Sequence, residues 1–509
     1  MARFVEVFDR WDKGDWGTLG RSKAGRLEDG FFTGRNMMVY DDGSIGPRPG
    51  LKTRAYTSTP NGAVLSAGYA FEFGAATQEL FFVVGAQTYA APAFANGAVR
   101  TVGAALAGGA PAFAVADAFA VADNNLYLAL PDSGTGGRVY RWDRATDTIT
   151  SVATLDSSPW HITLHRDRLY ACGQTPNRVY YSDAAVPGTW TTATGFFDVG
   201  YNGALFALGT VANALHIYME NGEWALSGVP ESTSTLRELF AGGGFSPASR
   251  GVVRVPDEGG AIWLPTERTA PVRSRAGIAD RTSLEHLENW GGDGDRSGAY
   301  EEVGRDVLFV DSAANGLWRH NDVWTRHDFG VTTDGIIFAM QNEQFCLVTD
   351  GTASTPAAFH VVSTGLDRPA FTSDPYASPG DGTSVPLDAY LHLPEKWHPA
   401  GKDMRVKEVE VDFMAWNTGT TETAHFDLVV RATRPQSVGT ESEGDNVSAT
   451  YSYDQPVAES ATTGTQRRIS FHVGDQGWGR GYQIRLSNIR NCSIRSVSAV
   501  VDDESRDSR

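Results

Sequence analysis

Short hydrophobic segments recur along the first two thirds of the chain at nearly constant spacing. Each contains a four-residue run of apolar side chains, and successive runs begin 46, 43, 46, 46, 46 and 38 residues apart. A period of this size is typical of proteins in which every repeat is one supersecondary unit. The seven runs are LFFV from Leu80, LYLA from Leu126, LYAC from Leu169, LHIY from Leu215, AIWL from Ala261, VLFV from Val307 and FCLV from Phe345.

The residues around these runs predict antiparallel hairpins. A polar turn and another hydrophobic strand precede most runs, as in HITLHRDRLYAC, and an aromatic-rich strand such as residues 139–142 follows several of them. Three or four strands per repeat form a small sheet, and radial stacking lets each sheet cover its neighbour. We therefore predict an all-β protein with a β-propeller of about seven blades over residues 56–371. Six blades are the alternative count, and a linear β-solenoid, whose repeats are usually shorter, is the alternative fold.

The repeat stops near residue 370, and a second pattern begins. Residues 372–386 are rich in Pro, Gly and Ser and predict a linker. In residues 387–509 apolar positions alternate with polar ones, as Val409, Val411 and Phe413 do with the acidic residues between them. Half-buried strands separated by polar turns indicate a C-terminal β-sandwich or jelly-roll-like domain.

The first 55 residues match neither pattern. They are aromatic and mixed in charge, and they predict an N-terminal arm or docking segment. We expect the arm to pack on its own chain, and docking on a partner is the alternative.

Composition restricts the function. With 43 Lys and Arg against 61 Asp and Glu, the net charge is −18, which disfavours tight binding to a phosphate backbone but is compatible with transient passage of DNA. The three cysteines are far apart and predict buried thiols rather than a disulfide or zinc site. No apolar run is long enough for a signal peptide or a membrane segment, so we expect a protein made in the cytosol.

Two patterns suggest metal ligands. Asp293, Asp295 and Ser297 match the first half of a Ca²⁺ loop, but Gly304 stands where the loop needs an acidic residue. We expect an ordinary acidic turn there, with a Ca²⁺ site as the alternative and no other cofactor. His161 and His165 have the HxxxH spacing of helical metal sites, yet they lie in a strand-like run that would separate them by ~13 Å. We expect them on the exposed face of a strand.

Residues 30–51, GFFTGRNMMVYDDGSIGPRPGL, resemble the N-terminal signature of nozzle, hub or stabilisation proteins from the tails of bacteriophages. In that family an Asn-containing strand leads through a Gly turn into an Arg-Pro-Gly segment, followed by a propeller. The matching residues here are Asn36, Arg48, Pro49 and Gly50. Pro49 and Gly50 also suit a simple turn into the first blade.

The resemblance implies a structural protein of the virion tail, assembled in the host cytoplasm with other tail proteins. It implies a cyclic homo-oligomer, with a hexamer favoured, that helps to close or open the DNA exit channel. Common catalytic motifs such as GxSxG and HExxH are missing from the sequence, so we expect no enzyme. The alternatives are a receptor- or glycan-binding tail protein that uses aromatic loops near Trp190, Trp318 and Trp324, and a glycan-cleaving propeller.

Overall fold

The structure is a computed structural model. The described residues are 3–9, 11, 33–40, 43–48, 51–70, 78–93, 95–110, 119–122, 125–132, 136–143, 145–174, 177–191, 194–200, 203–211, 213–230, 235–241, 253–255, 261–264, 272–275, 278–280, 298–301, 306–311, 316–321, 323–328, 336–340, 344–349, 351–363, 389–393, 396–397, 403–415, 423–433, 446–456, 465–473, 478–490 and 492–504. The predicted linker at 372–386 lies outside them.

The N-terminal strands are short and join sheets formed by later parts of the chain. Only β3 and β4 pair with each other, as an antiparallel hairpin. The six strands are β1 (Arg3–Phe8), β2 (Thr33–Arg35), β3 (Met37–Val39), β4 (Ile45–Pro47), β5 (Leu51–Thr53) and β6 (Tyr56–Thr57).

Small antiparallel sheets of four strands follow one another along the chain, in a propeller-like arrangement. Seven such sheets lie in the described residues, and in each of them neighbours in sequence pair as hairpins. β10 (Gly97–Ala98) stands apart from them and pairs with β6. The first sheet holds β7 (Val64–Ala70), β8 (Glu79–Val84), β9 (Gln87–Pro92) and β11 (Arg100–Val102); the second β12 (Phe119–Ala122), β13 (Asn125–Pro131), β14 (Gly137–Asp143) and β15 (Thr148–Leu155); the third β16 (Ser158–His165), β17 (Arg168–Gln174), β18 (Arg178–Tyr181) and β19 (Phe196–Asp198); the fourth β20 (Leu205–Val211), β21 (Ala214–Met219), β22 (Gly222–Ser227) and β23 (Thr235–Ala241); the fifth β24 (Val253–Val255), β25 (Ala261–Leu264), β26 (Val272–Arg275) and β27 (Ile278–Asp280); the sixth β28 (Gly298–Glu301), β29 (Asp306–Asp311), β30 (Gly316–Asn321) and β31 (Val323–Asp328); the seventh β32 (Ile336–Ala339), β33 (Gln344–Thr349) and β34 (Ala358–Ser363).

The fourth strand of the seventh sheet comes from the other end of the chain. β5 pairs antiparallel with β34, so that Thr53 lies opposite His360 and Leu51 opposite Val362. The seventh sheet also shares a hydrophobic core with the first, in which Phe82 packs against Phe359. Neighbouring sheets are joined by similar apolar cores, which is how a four-stranded sheet removes both faces from water.

Two larger sheets form the C-terminal part. Their strands are β35 (Tyr390–His392), β36 (Lys396–Trp397), β37 (Asp403–Ala415), β38 (Thr423–Thr433), β39 (Asn446–Pro456), β40 (Thr465–His472), β41 (Trp478–Gly479), β42 (Gly481–Arg490) and β43 (Cys492–Glu504). One sheet is built on β37, β40 and β43, and the other on β38, β39 and β42. They share one core, in which Phe413 meets Phe426 edge to face at a ring distance of 5.3 Å. The alternation at Val409, Val411 and Phe413 is confirmed, since all three are buried.

Strands β1 to β4 complete these C-terminal sheets. β1 and β4 both pair with β43 in the first of them, and β2 pairs with β35 in the second. The N-terminal segment therefore packs on its own chain. Both its first strand, β1, and its later strands β2 and β4 pair with strands of the C-terminal sheets.

The hydrophobic repeat corresponds to one position in the fold. Every one of the seven predicted runs lies in the second strand of its sheet, from β8 to β33. The second strand is paired on both sides, and in the six sheets for which its burial is described the whole run is buried, so it carries the most continuous apolar sequence. Buried positions for Cys172, Cys346 and Cys492 are also confirmed, and all three thiols are free.

The expectation for the two histidines was wrong. His161 and His165 do lie in strand β16, but they are 8% and 3% exposed rather than on a solvated face. Neighbouring sheets cover this strand: His165 Nδ1 lies 3.0 Å from the Thr210 hydroxyl of the fourth sheet. Burial without a compensating charge lowers the pKa of His161 to about 4, so this side chain is neutral.

Candidate functional site: the joint around Asn36 and Arg48

The segment that carries the tail-protein resemblance connects three sheets within about twenty residues. β2 extends one C-terminal sheet, the β3–β4 hairpin extends the other, and β5 then completes the seventh propeller-like sheet. A chain that changes sheets this often leaves backbone groups at its corners that need partners. At two of these corners, Asn36 and Arg48 bond each other.

Asn36 and Arg48 form a closed polar contact. The Arg48 backbone N–H donates to the Asn36 carbonyl at 2.9 Å, and Arg48 Nε donates to Asn36 Oδ1 at 3.1 Å. The two residues are 3% and 2% exposed. Asn36 has a left-handed φ of 57°, a conformation that Asn adopts more readily than most residues. Asparagine thus has two roles here. It adopts the left-handed backbone conformation of the turn, and its side chain accepts a hydrogen bond from the guanidinium.

The same corner is bonded to the sixth propeller-like sheet through strand β31. The Asn36 N–H donates to the carbonyl of Arg326 at 3.0 Å. His327 Nε2 lies 3.2 Å from the carbonyl of Met37, and because a carbonyl only accepts, this nitrogen carries the proton. The Thr325 hydroxyl lies 3.2 Å from the same nitrogen. Two consecutive residues of β31, Arg326 and His327, therefore contact two consecutive residues of the signature segment, Asn36 and Met37.

Positive charge is concentrated around this contact. Burial lowers the pKa of His327 well below its usual range, and the nearby charges of Arg48 and Arg319 lower it further. His327 therefore remains neutral among cations. Arg319 Nη2 forms an ion pair with Asp306 Oδ1 at 2.7 Å, with side-chain exposures of 1% and 0%. This buried pair places a negative charge beside Arg319, one of the two arginines whose charges act on His327.

We call this group the signature joint. It consists of Asn36, Met37 and Arg48 from the N-terminal segment and of Asp306, Arg319, Arg326 and His327 from the sixth sheet. A buried network of this kind holds a unique arrangement, because breaking one bond leaves polar groups without water or partner. The joint combines the hydrogen bonds between Arg48 and Asn36 with the ion pair between Arg319 and Asp306. Its chemistry suits fixing one part of the chain against another.

The β3–β4 hairpin anchors the joint on the C-terminal side. Its turn uses Gly43 at a φ of 76°, and the Tyr40 hydroxyl donates to the Pro47 carbonyl at 2.6 Å across the hairpin. The Ser44 hydroxyl bonds the Ser493 hydroxyl of β43. The hairpin is thereby held to β43 by side chains as well as by backbone pairing.

The structure brings together two of the four signature residues predicted from the sequence. Asn36 and Arg48 contact each other, whereas Pro49 and Gly50 lie outside the described residues. The partners on the sixth sheet were missed, because they are about 270 or more positions away in the sequence. Their one sequence signal is charge beside an apolar run: Asp306 directly precedes VLFV, and Arg319 follows Leu317 and Trp318.

The other predicted site residues are not assembled into a site. Asp293, Asp295 and Ser297 lie outside the described residues, and among those that are described no three His, Cys, Asp or Glu side chains form a group that could hold a metal ion. The indoles of Trp190 and Trp318 are 9% and 3% exposed and belong to cores between sheets, so they cannot stack on a glycan. Nothing is described of the Trp324 side chain.

No family model and no curated protein matches the chain. Solved structures with some similarity include PorZ, a bacterial surface component of the type-IX secretion system of Porphyromonas gingivalis, at 12% identity and a TM-score of 0.41. That alignment covers 62% of this chain and 39% of the PorZ chain, so this chain spans about two fifths of PorZ. The N-terminal domain of Nup159 aligns at 7% identity and a TM-score of 0.36, over 65% of this chain and 98% of that one. Kluyveromyces lactis Hsv2 aligns at 10% identity and a TM-score of 0.29, over 44% and 67%. Similarity at this level does not indicate a role for this chain.

Proposed function

We propose that this protein is a structural subunit of a bacteriophage tail, of the nozzle, hub or tail-tip ring type. It acts by assembly with other tail proteins and by helping to close or open the DNA exit channel, and it catalyses no reaction. The observation that carries the proposal is the position of the signature residues: Asn36 and Arg48 are buried, bonded to each other, and joined to the sixth sheet.

The geometry of the joint supports a mechanical role. A subunit of a ring must keep the surfaces that meet its neighbours in a fixed relation while the ring changes state. A buried network that links β31 to the β3–β4 hairpin supplies such a fixed relation, since its bonds are made only in one arrangement. The segment with the family resemblance is thus the segment that connects the two halves of the chain.

We further infer the architecture in more detail. The seven four-stranded sheets are the blades of a seven-bladed propeller, in which β5 completes the last blade and so ties the ring to the N-terminal segment. The two C-terminal sheets form a β-sandwich within residues 387–509. The family resemblance adds a cyclic homo-oligomer, with six copies favoured, located in the virion tail after assembly in the host cytoplasm.

The charge of the chain agrees with a passage for DNA. At −18 the protein repels a phosphate backbone, so that DNA passes such a surface without tight binding. No helix in the described residues has the length and apolarity that a membrane crossing needs. We expect neither a metal nor another cofactor to take part in this role.

Two measurements test the proposal. Purified phage particles should contain the protein by mass spectrometry, and an antibody against it should label one end of the tail. The purified protein should form rings visible by negative-stain electron microscopy. A protein that is absent from the particles and stays monomeric would contradict the proposal.

Variants link the role to the joint. Arg48→Lys keeps the charge but loses the Nε donor to Asn36, so we expect fewer intact rings and fewer infectious particles at a given protein level. Arg468→Lys is the matched control, because the Arg468 side chain is 62% exposed and its ion pairs are long, at 3.5 and 3.8 Å. If both variants assemble equally well, the signature residues Asn36 and Arg48 are not needed for ring assembly, which would contradict this part of the proposal.

A further inference from the structure

Strand β1 is an edge of the first C-terminal sheet. It pairs antiparallel with β43, from Arg3 opposite Asp502 to Phe8 opposite Val497, and β43 is its one partner strand in the described part of the chain. In an antiparallel pair the N–H and C=O groups of alternate residues point away from the partner strand. β1 therefore offers a row of backbone donors and acceptors along its outer edge, a template for a further strand.

The outward face of β1 is apolar at its centre. Val5 and Val7 are 58% and 54% exposed, which places them among the most exposed large hydrophobic residues described. The residues between and beside them point to the other face: Phe8 is buried in the core and Glu6 accepts a hydrogen bond from the Tyr482 hydroxyl. Most edge strands carry charges at such positions, because charges prevent association.

Charges of opposite sign flank the two valines. Arg3 begins the strand and is exposed, and Asp9 directly follows the strand and is also exposed. The outward positions thus read cation, valine, valine, anion in the order Arg3, Val5, Val7 and Asp9. When two strands with this order run antiparallel, each cation lies opposite an anion and each valine lies opposite a valine.

We propose that β1 pairs with β1 of a second copy of this chain, antiparallel, across a two-fold axis at Glu6. In this register Val5 lies opposite Val7 of the other copy, and Arg3 lies opposite Asp9. Residues directly opposite in an antiparallel pair share one face and contact each other, so each strand contributes to two valine pairs and two ion pairs. The two sheets join into one sheet that runs through both copies.

The order of charges and valines along β1 indicates both the partner, a second copy of the chain, and the register of the pairing. Sliding the two strands by two residues places Arg3 opposite Val7, or Asp9 opposite Val5, and loses both ion pairs. A second copy matches the whole pattern, provided that Arg3, whose Nε donates to Asp502 Oδ1 of its own chain at 3.3 Å, uses its remaining guanidinium donors for Asp9. The cost lies on the other face, where Glu6 meets its own copy, and Glu6→Gln should therefore tighten the dimer because Gln keeps an acceptor for Tyr482.

The contact is distinct from the contacts of a ring. A two-fold pairing uses the same surface on both copies, whereas a ring is built by head-to-tail contacts between different surfaces. The pairing therefore doubles the mass of whichever species it joins, a monomer or a ring. Its presence or absence can be measured whether or not the tail proposal holds.

Charge reversal provides the test, with sedimentation velocity of the full chain as the readout. Arg3→Asp alone places two acidic residues opposite each other, and Asp9→Arg alone places two arginines opposite each other, so each single variant should dimerise at least tenfold more weakly than the natural chain. An equimolar mixture of the two should form the doubled species again, because every Asp then faces an Arg. Native mass spectrometry should show that it contains one copy of each.

Valine variants provide the second arm. Val5→Lys and Val7→Lys should abolish the doubled species, while Val186→Lys, at a valine that is 50% exposed elsewhere, should leave it intact. Circular dichroism of each variant checks that the fold is retained. The proposal is overturned if the natural chain never doubles up to ~100 μM, or if the mixture of charge variants stays as weak as its components.

Discussion

The hydroxyl groups of Ser44 and Ser493 lie 2.8 Å apart although 449 positions separate them in the sequence. The contact brings strand β4 against β43, and Gly46 lies at the point of closest approach. A Cβ atom on Gly46 would stand 2.9 Å from both the Ser493 Cβ and the Tyr40 Cε2 atoms. Neither atom is the far end of a flexible side chain, so the backbone itself would have to move.

Gly46→Ala should therefore destabilise the protein. We expect a loss of about 1–3 kcal/mol in the free energy of unfolding, the usual cost of overpacking a well-packed interior. Gly188→Ala is the control, since a Cβ there meets its nearest atoms at 3.4 Å, an ordinary contact distance. Urea denaturation of both variants measures the difference, and equal stabilities would mean that the hairpin does not sit this close to β43.

Arg48→Ala should weaken the signature joint. It removes the guanidinium donor from buried Asn36, and leaving a buried acceptor without a charged donor costs about 2–4 kcal/mol. Arg468→Ala should cost less than about 1 kcal/mol, because exposed ion pairs contribute little. The same denaturation experiment checks both values. If Arg48→Ala destabilises the protein by less than about 1 kcal/mol, as expected for Arg468→Ala, then water replaces the guanidinium as the donor to Asn36 without loss of stability.

The stability of the protein should depend on His161 below neutral pH. Its pKa is about 4 in the folded protein and about 6.5 when unfolded, so in this window only the unfolded chain binds the proton. The stabilising contribution is complete above pH 6.5 and is lost as the pH falls toward 4, by up to about 1.4 kcal/mol per pH unit.

His161→Gln should therefore flatten the dependence of the unfolding free energy on pH between about 6 and 4.5, relative to the natural chain. His472→Gln, at an exposed position, serves as the control. Parallel curves for the natural chain and His161→Gln would contradict a buried neutral histidine.

The three thiols should be unreactive in the folded protein. Cys172, Cys346 and Cys492 are buried, and burial raises the pKa of each thiol, that of Cys492 to about 12. A disulfide reagent at pH 8 should modify all three in denaturant and fewer than ~0.1 per chain in buffer. Rapid modification of the native protein would show that one of the strands β17, β33 or β43 opens.

The fold could be predicted from the sequence to the level of its repeat. Runs such as LYLA and VLFV are long and apolar because they form the second strand of a four-stranded sheet, the position most fully removed from water. The alternation at Val409, Val411 and Phe413 similarly indicated strands with one buried face. In both cases the pattern is local and reflects the burial of adjacent residues.

The partners of the N-terminal segment could not be predicted. β5 joins the seventh sheet through residues some 300 positions later, and β1 joins β43 at the other end of the chain. A three-residue strand has too few side chains to indicate which sheet it completes. The misplacement of His161 and His165 has a related cause, because a strand carries no sign of how closely a neighbouring sheet covers its polar side chains.

The sequence by itself determined the strands, their grouping into repeats and the change of pattern near residue 370, and it singled out Asn36 and Arg48 as signature residues. Only the tertiary structure decided that these two residues contact each other and that His327, which is close to both Arg48 and Arg319, bonds the neighbouring Met37. The physical reason is the range of the interactions. Hydrophobic periodicity arises from neighbours in sequence, whereas a buried polar joint is assembled from groups that folding alone brings within hydrogen-bond distance of each other.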